Sequence, residues 1–338
     1  MPPTTDPLLR VRELRKHFPI HSGVMSQVVG HVRAVDGVSF DIYEGECLGL
    51  VGESGSGKTT VGRVILRALS ATSGDVHFRV NGSETNLTTA PRATLKSLRR
   101  HMQMVFQDPY ASLNPRMTVF DIVGEPLLVH GMKDAREREA AVEDLLRRVG
   151  LESHIMRRYP HAFSGGQRQR IGIARALALR PKLIVADEPV SALDVSVQAQ
   201  VLNLLQDLRE ELRLTYLFIA HDLSVVRHIS DRIAVMYAGR IVEMADADAL
   251  FRSPKHPYTE ALLSSVPAPH PNRRRARVPL EGEVADPSNL PPGCAFHPRC
   301  PYVRDECREE MPELLEIVPA HTSRCHLAGE LGLVGLRG

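Results

Sequence analysis

Tryptophan is absent from this sequence of 338 residues, and aromatic residues make up only 5% of it. Stacking surfaces for single-stranded nucleic acid are therefore scarce. Neither sign of charge dominates, because 42 Lys and Arg residues face 40 Asp and Glu residues, and such a balance gives no general attraction to polyanions. No apolar run approaches the ~18 residues that span a bilayer, and the first ten residues lack the apolar segment of a signal peptide. We expect a protein of the cytosol with no membrane span and no nucleic-acid partner.

The composition, 43% hydrophobic and 24% charged, is that of an ordinary soluble globular protein. Apolar and polar positions alternate over the first ~45 residues, which is typical of a half-buried antiparallel sheet. Short apolar runs then alternate with amphipathic segments, which predicts an α/β core with a mainly parallel sheet. Strands are predicted at 38–46, 47–52, 182–189 and 215–222, helices at 59–70, 117–150, 164–180 and 197–212, and a hairpin at 231–245 with its turn near Ala238 and Gly239.

The composition changes near Ser253, after which proline is frequent and four of the five cysteines occur. We therefore predict two units, residues 1–252 and a small, loop-rich unit of residues 253–338. The basic run at 273–277 is interpreted as a solvated linker rather than a nucleic-acid patch.

Residues 52–59, GESGSGKT, match the pattern G-x-x-x-x-G-K-[ST] through Gly52, Gly57, Lys58 and Thr59. Glycines allow the backbone N–H groups to approach a phosphate closely, and the helix that follows offers its positive end. A flexible glycine loop is the alternative, but a predicted strand before the pattern and a helix after it favour a phosphate loop. In such a loop Lys58 reaches the β- and γ-phosphates and the Thr59 hydroxyl binds Mg²⁺.

The predicted strand at 182–189 brings Asp187 and Glu188 to its carboxyl end. A carboxylate at this place beside a phosphate loop is typical of a Mg²⁺-associated acid, and Glu188 then becomes the candidate general base for water. An acid pair at an ordinary turn remains the alternative when the pair is considered alone.

Four further motifs decide between these interpretations. The segment 164–177, SGGQRQRIGIARAL, resembles the signature sequence of ATP-binding cassette (ABC) proteins and begins 23 residues before Asp187. Residues 191–194, SALD, resemble the D-loop of the family. His221 resembles its switch histidine and Gln107 its Q-loop glutamine. The order and spacing identify residues 8–250 as similar to an ABC-type ATPase, with one departure at Phe163, where leucine is usual.

The resemblance implies a P-loop NTPase cassette of the α/β class. Such a cassette has a RecA-like core, an antiparallel β subdomain and an α-helical subdomain at about residues 108–170, here followed by a small Cys-rich C-terminal extension. It also implies that two cassettes enclose two ATP molecules, the phosphate loop of one facing the signature of the other. The ATP-binding residues implied are Phe18, Gly52, Glu53, Ser54, Gly55, Ser56, Gly57, Lys58, Thr59, Thr60, Ser164, Gly165, Gly166, Gln167 and Asp194. The Mg²⁺ ligands implied are Thr59, Gln107 and Asp187, and the catalytic residues Glu188, His221 and Gln107.

Three stretches resemble the ATPases of oligopeptide and dipeptide importers, namely residues 107–119, 253–269 and 291–307. This implies an ATP-hydrolysing motor at the cytoplasmic face of the bacterial inner membrane. Its partners would be two permeases, a peptide-binding protein and a second, non-identical ATPase subunit. The alternatives are a soluble ABC ATPase acting on nucleic acid or ribosomes, and an ATP-dependent metal- or sulfur-handling protein. Import of nickel, glutathione or sugar stays open.

Four cysteines of the extension, Cys294, Cys300, Cys307 and Cys325, are spaced C-x5-C-x6-C-x17-C. Four thiols in a short tail of a cytosolic protein point to a metal rather than to disulfides. Their spacing fits neither zinc knuckles nor ferredoxins, so it leaves zinc, an iron–sulfur cluster and free thiols open. The resemblance to peptide-importer ATPases favours a [4Fe–4S] cluster. His297, His321 and His326 are interpreted as surface residues or neighbours of the ligands, not as ligands.

Overall fold

The computed structural model describes residues 6–23, 26–266, 280 and 282–336. The basic run at 273–277 lies outside these residues. The described chain is of the mixed α/β class, with one four-stranded and one eight-stranded sheet.

The larger sheet has the strand order β11-β12-β10-β9-β3-β8-β7-β6. The neighbours β9, β3, β8, β7 and β6 run parallel. The apolar runs that predicted buried strands are β3, β7 and β8, and nearly every residue in them is inaccessible. In chain order the strands are β3 (Cys47–Val51), β6 (Met102–Val105), β7 (Leu183–Asp187), β8 (Thr215–Ala220), β9 (Arg232–Tyr237), β10 (Arg240–Asp246), β11 (Leu315–Val318) and β12 (His321–Ser323).

The smaller sheet is antiparallel in the order β2-β1-β4-β5, as the alternation near the N-terminus predicts. Its buried face packs with one side of the larger sheet and with the first helix, so that Phe40 and Phe78 share a core with Leu50 and Val64. Its strands are β1 (Leu9–Ser22), β2 (Gln27–Ile42), β4 (Ser73–Val80) and β5 (Ser83–Asn86).

The helices are α1 (Lys58–Ile65), α2 (Arg92–Leu98), α3 (Val119–Val129), α4 (Ala135–Arg148), α5 (Gly165–Leu177), α6 (Val195–Leu212), α7 (Leu223–Ile229), α8 (Ala247–Arg252), α9 (Pro257–Ser265) and α10 (Glu306–Glu309). The helices α3, α4 and α5 pack against one another.

Two predicted helix limits are wrong. The segment 117–150 is two helices, because Gly131 adopts a φ of +106° after α3 and Asp134 caps α4 by accepting the N–H groups of Arg136 and Glu137. The helix predicted to run to Arg180 ends at Leu177, and Arg180 itself has a positive φ. The hairpin is confirmed, with Ala238 and Gly239 at its turn.

The residues after Ser253 continue the main sheet. Strand β12 pairs with β10 through Glu243 and Ser323, and β11 pairs with β12 at the edge. The fully buried carboxylate of Glu243 accepts the N–H groups of Lys255 and His256 and bonds to the ring of His321. His321 is therefore buried, which excludes a surface position, one of the two alternatives predicted for it. Extension and cassette share one packed body even though their compositions differ.

Candidate functional site

The phosphate loop (residues 52–59) connects the buried strand β3 to helix α1. Two of its glycines are sterically required. A Cβ on Gly52 would lie 2.2 Å from the carbonyl oxygen of Met236, and one on Gly57 would lie 2.0 Å from that of Ala34. Both have positive φ, at +152° and +102°, where side chains are disfavoured. The loop can take this shape only with glycine at both places.

The ammonium group of Lys58 is buried and held by the loop. It donates to the carbonyl oxygens of Gly52 at 2.7 Å and Glu53 at 2.9 Å, and to the hydroxyl of Ser56 at 3.3 Å. Burial lowers the pKa of Lys58, against the opposing charges of nearby carboxylates. A phosphate entering the loop would add negative charge next to this buried cation.

Thr59 and Asp187 join the start of α1 to the end of β7. The Thr59 hydroxyl donates to Asp187 Oδ1 at 2.8 Å, and burial raises the pKa of Asp187. A hydroxyl and a carboxylate oxygen are the hard ligands that Mg²⁺ takes, usually with phosphates and water completing the shell. The geometry brings together two of the three predicted Mg²⁺ ligands.

Three residues far apart in the sequence meet at one carboxylate oxygen. Glu188 Oε2 accepts from Gln107 Nε2 at 2.9 Å and lies 2.9 Å from His221 Nδ1. The backbone of Glu188 has a φ of +46°, and its N–H bonds to the carbonyl oxygen of Ile219 in β8 at 2.9 Å. The predicted base is therefore fixed just past the strand end, with the two other predicted catalytic residues bound to it.

The signature and D-loop residues form a second region at the starts of α5 and α6. Ser164 caps α5 in a reciprocal pair with Gln167, and Asp194 caps α6. The helices approach closely, since a Cβ on Gly166 would lie 2.5 Å from Val197 Cγ1, and Gly165 faces Leu193. Within the described residues, the hydrogen bonds of these two capping side chains stay at the two helix starts. Two helix N-termini side by side suit an anion.

Phe18 lies on β1, half-buried and opposite Val32 of β2. The Lys16 ammonium lies 4.8 Å from the centre of its ring. Its role in stacking on adenine stays a prediction.

Sequence reasoning missed two residues that hold the phosphate loop from the extension. Arg299 forms a paired salt bridge with the Glu53 carboxylate, and the Tyr258 hydroxyl accepts the Glu53 N–H at 2.8 Å. Arg299 is 246 residues away from Glu53. The cysteine spacing around Arg299 carries no signal for this contact.

The predicted metal centre of the extension finds no support in the arrangement of its thiols. In the part of the chain that the structure describes, no group of three or more Cys, His, Asp or Glu side chains could hold a metal ion. Burial raises the pKa of Cys300 to about 11 and that of Cys325 to about 12. Metals bind thiolates, so binding of a metal at these cysteines would release their protons.

Among the described residues, no helix has the length and apolar character needed to cross a membrane.

Comparison with known proteins gives two family matches. Residues 35–191 match the family "ABC transporter", and residues 242–307 match "Oligopeptide/dipeptide transporter, C-terminal region". The chain is 54% identical to the oligopeptide transport ATP-binding protein AppF of Bacillus subtilis, over 95% of this chain and 97% of that protein. It is 53% identical to the probable peptide ABC transporter ATP-binding protein y4tS of Sinorhizobium fredii, over 96% and 90%.

Solved structures resemble the cassette part. The ATP-binding cassette MJ0796 bound to ADP and Pi is 29% identical, with a TM-score of 0.62 over 71% of this chain and 98% of that one. CbiO1 from Clostridium perfringens, part of the ABC transporter complex cbiONQ, is 28% identical, with a TM-score of 0.60 over 73% and 91%. The fold class predicted for the cassette is confirmed.

Proposed function

The chain belongs to the family of ABC transporter ATP-binding proteins, and we propose that it is the ATP-hydrolysing motor subunit of a bacterial importer for di- or oligopeptides. The observation that carries its ATPase chemistry is the meeting of Gln107 and His221 on Glu188, directly after the Asp187 that bonds to Thr59. Both the extension match and the names of the relatives favour peptides as cargo over the alternative of a nucleic-acid or metal-handling ATPase.

The loop residues hold the phosphates of ATP. Lys58 exchanges its bonds to loop carbonyls for bonds to the β- and γ-phosphates, and backbone N–H groups of the loop after Glu53 point toward the β-phosphate. Thr59, Asp187 and Gln107 would hold Mg²⁺, which offsets phosphate charge when bound. Phe18 stacks on the adenine.

Glu188 orients the attacking water and accepts its proton, the positioning that phosphoryl transfer requires. Its only partially exposed carboxylate, 13% accessible, can approach water while two neighbours fix its direction. His221 is 54% exposed, so its ring can turn toward a γ-phosphate and respond to the loss of that phosphate. Gln107 links the site to the helical subdomain, which begins just after it.

A second, non-identical ATPase subunit completes each site. Ser164, Gly165, Gly166 and Gln167 would contact the γ-phosphate held by that partner, and Asp194 would lie at the same junction. The paired helix N-termini of α5 and α6 support this, since they present backbone N–H groups to one face.

The permease would dock beside Gln107. Phe106 and Tyr110 are large exposed side chains there, 41% and 60% accessible, and the Arg168 guanidinium lies 3.9 Å from the Tyr110 ring centre. An exposed aromatic pair beside the site suits a short cytoplasmic helix of the permease. The assembly would then comprise two permeases, a peptide-binding protein and the second ATPase, with this chain peripheral at the cytoplasmic membrane face.

The chain would divide into a cassette of residues 1–252, with a helical subdomain at about 108–170, and the extension of residues 253–338.

Reconstitution of the transporter in proteoliposomes tests this function. ATP hydrolysis should rise when a peptide-loaded binding protein is added on the other side. Lys58→Ala should abolish the stimulation while the subunits still co-purify. Rapid ATP hydrolysis at the same rate with and without permease and peptide, together with no co-purification with the permease, would contradict the proposal.

We also infer that Cys294, Cys300, Cys307 and Cys325 bind a metal, as a [4Fe–4S] cluster or, alternatively, zinc. The support is the chemistry of the donor set, four thiols in one short stretch of the chain. Binding would require the thiols to deprotonate and draw together. Anaerobic purification with iron, sulfide and zinc analysis tests this, and Cys325→Ser should lose the metal. Protein free of all three would contradict it.

A further inference from the structure

The phosphate loop carries one carboxylate, and a distant arginine neutralises it. Arg299 Nη1 lies 2.7 Å from Glu53 Oε2, and Nη2 lies 3.1 Å from Oε1. The Arg299 side chain is only 5% exposed, and that of Glu53 is 27% exposed. Two parallel N–H···O bonds to one carboxylate fix both distance and orientation, so Glu53 is held as well as neutralised.

The backbone of Glu53 is held from the same side. Its N–H donates to the hydroxyl of Tyr258, a fully buried residue of α9. Tyr258 packs edge-on against Tyr237, and Phe296 packs against both. Tyr237 in turn lies under the Arg299 guanidinium, 5.9 Å from ring centre to Cζ. One aromatic cluster therefore supports both contacts to Glu53.

This arrangement answers an electrostatic problem. A loop that receives a polyanion carries a carboxylate five residues before its lysine, and an unpaired carboxylate would repel the phosphates. At a half-buried site, two like charges several ångströms apart repel each other strongly enough to change a binding constant about tenfold. Arg299 offsets this repulsion and, together with Tyr258, holds Glu53 in place.

We propose that Arg299 is a positioning residue for nucleotide binding, through which the C-terminal extension sets the ATP affinity of the phosphate loop. Arg299 acts through Glu53 and does not touch the nucleotide. The inference rests on the proposed binding of ATP at residues 52–59, and it adds that the extension is part of the nucleotide site.

A second substitution that removes the charge of Glu53 distinguishes this role from a purely structural one, in which Arg299 only attaches the extension to the cassette. Arg299→Ala should weaken binding of a fluorescent ATP analogue about tenfold and raise KM more than it lowers kcat. In the double variant Arg299→Ala with Glu53→Gln, the repulsion is gone, so affinity should recover most of that loss. If Arg299 only attaches the extension to the cassette, the double variant should show no recovery, because the salt bridge is broken in both variants.

The control and the fold checks use the same extension. Arg304→Ala removes an exposed salt bridge to Glu330 and should leave affinity unchanged. Arg299→Lys, which keeps the charge but not the paired geometry, should fall between wild type and Arg299→Ala, and it replaces Arg299→Ala if that variant fails to fold. Higher ionic strength should reduce the difference in ATP affinity between wild type and Arg299→Ala, since screening weakens the repulsion.

The outcomes are distinct from those of the proposed function. Wild-type protein that binds no ATP, or binds it equally well as Lys58→Ala, overturns the proposed function. Protein that binds ATP in a Lys58-dependent way, yet with an affinity that Arg299→Ala and Arg299→Lys leave unchanged, overturns only this inference. An affinity loss in Arg299→Ala that Glu53→Gln does not relieve overturns it as well.

Discussion

Glu188→Gln is a clean perturbation because of how the neighbours of this residue bind it. Gln107 and His221 both contact the same oxygen, Oε2, at 2.9 Å. A glutamine can keep its single carbonyl oxygen at that place and retain both contacts, with its NH₂ group replacing the other oxygen. The substitution therefore removes the charge and the basicity and leaves the shape.

The expected loss is that of a general base and its water-orienting charge. Such groups contribute about 10² to 10⁴ in rate, which corresponds to about 3 to 5 kcal/mol of activation free energy. ATP binding should remain, because Lys58 and the loop glycines are unchanged. Without hydrolysis, the ATP-bound cassettes should accumulate as a closed dimer with the second ATPase subunit.

The assay is phosphate release by the reconstituted transporter, with ATP binding and the dimer fraction measured in parallel. Glu210→Gln, at an exposed glutamate of α6, makes the same chemical change away from the site and should hydrolyse ATP like wild type. Glu188→Gln protein that hydrolyses ATP within a few fold of the control rate would refute the assignment of Glu188 as the base.

Two further predictions concern the loop and the extension. Gly57→Ala should abolish ATP binding, because its Cβ would meet the Ala34 carbonyl oxygen at 2.0 Å, whereas Gly82→Ala, at a similar positive φ with open space around it, should bind normally in the same titration. The folded protein should lose stability as the pH falls below about 6.5, because burial lowers the pKa of His256 to about 3 while the unfolded chain takes up the proton. The loss is about 1.4 kcal/mol per pH unit, or about 2 kcal/mol between pH 7.5 and 5. The variant His256→Asn keeps a capping side chain for α9, and its free energy of unfolding in urea should lack this part of the pH dependence. An unchanged pH dependence would contradict the assignment.

Contacts at the ends of parallel strands could be predicted from the sequence. The carboxyl ends of such strands meet at one edge of a sheet. Groups that follow three apolar runs therefore have to lie close together, here an acid, a histidine and a glycine loop. Glu188 and His221 follow this rule at 2.9 Å. The break between α3 and α4 was missed although its signals, Gly131 and Asp134, are in the sequence, because the apolar spacing continues across it.

Contacts between the extension and the cassette could not be predicted in this way. Periodicity and local capping describe neighbours within a turn or a strand, whereas Arg299 and Glu53 are joined only by the path of the folded chain. The cysteines around Arg299 indicate a metal centre, and their spacing gives no sign of a contact with the phosphate loop. The folded chain places this segment against a carboxylate of that loop.

The boundary near Ser253 is thus a change of composition and not of packing. Glu243 lies in the cassette with its carboxylate fully buried, yet this carboxylate bonds to Lys255, His256 and His321 beyond that boundary. A buried carboxylate without donors costs several kcal/mol, so a cassette shortened at residue 252 would carry this cost and lose the arginine that pairs with Glu53. Strand β10 of the main sheet also receives the extension through β12. A change in the extension can therefore reach the nucleotide site through the salt bridge between Arg299 and Glu53.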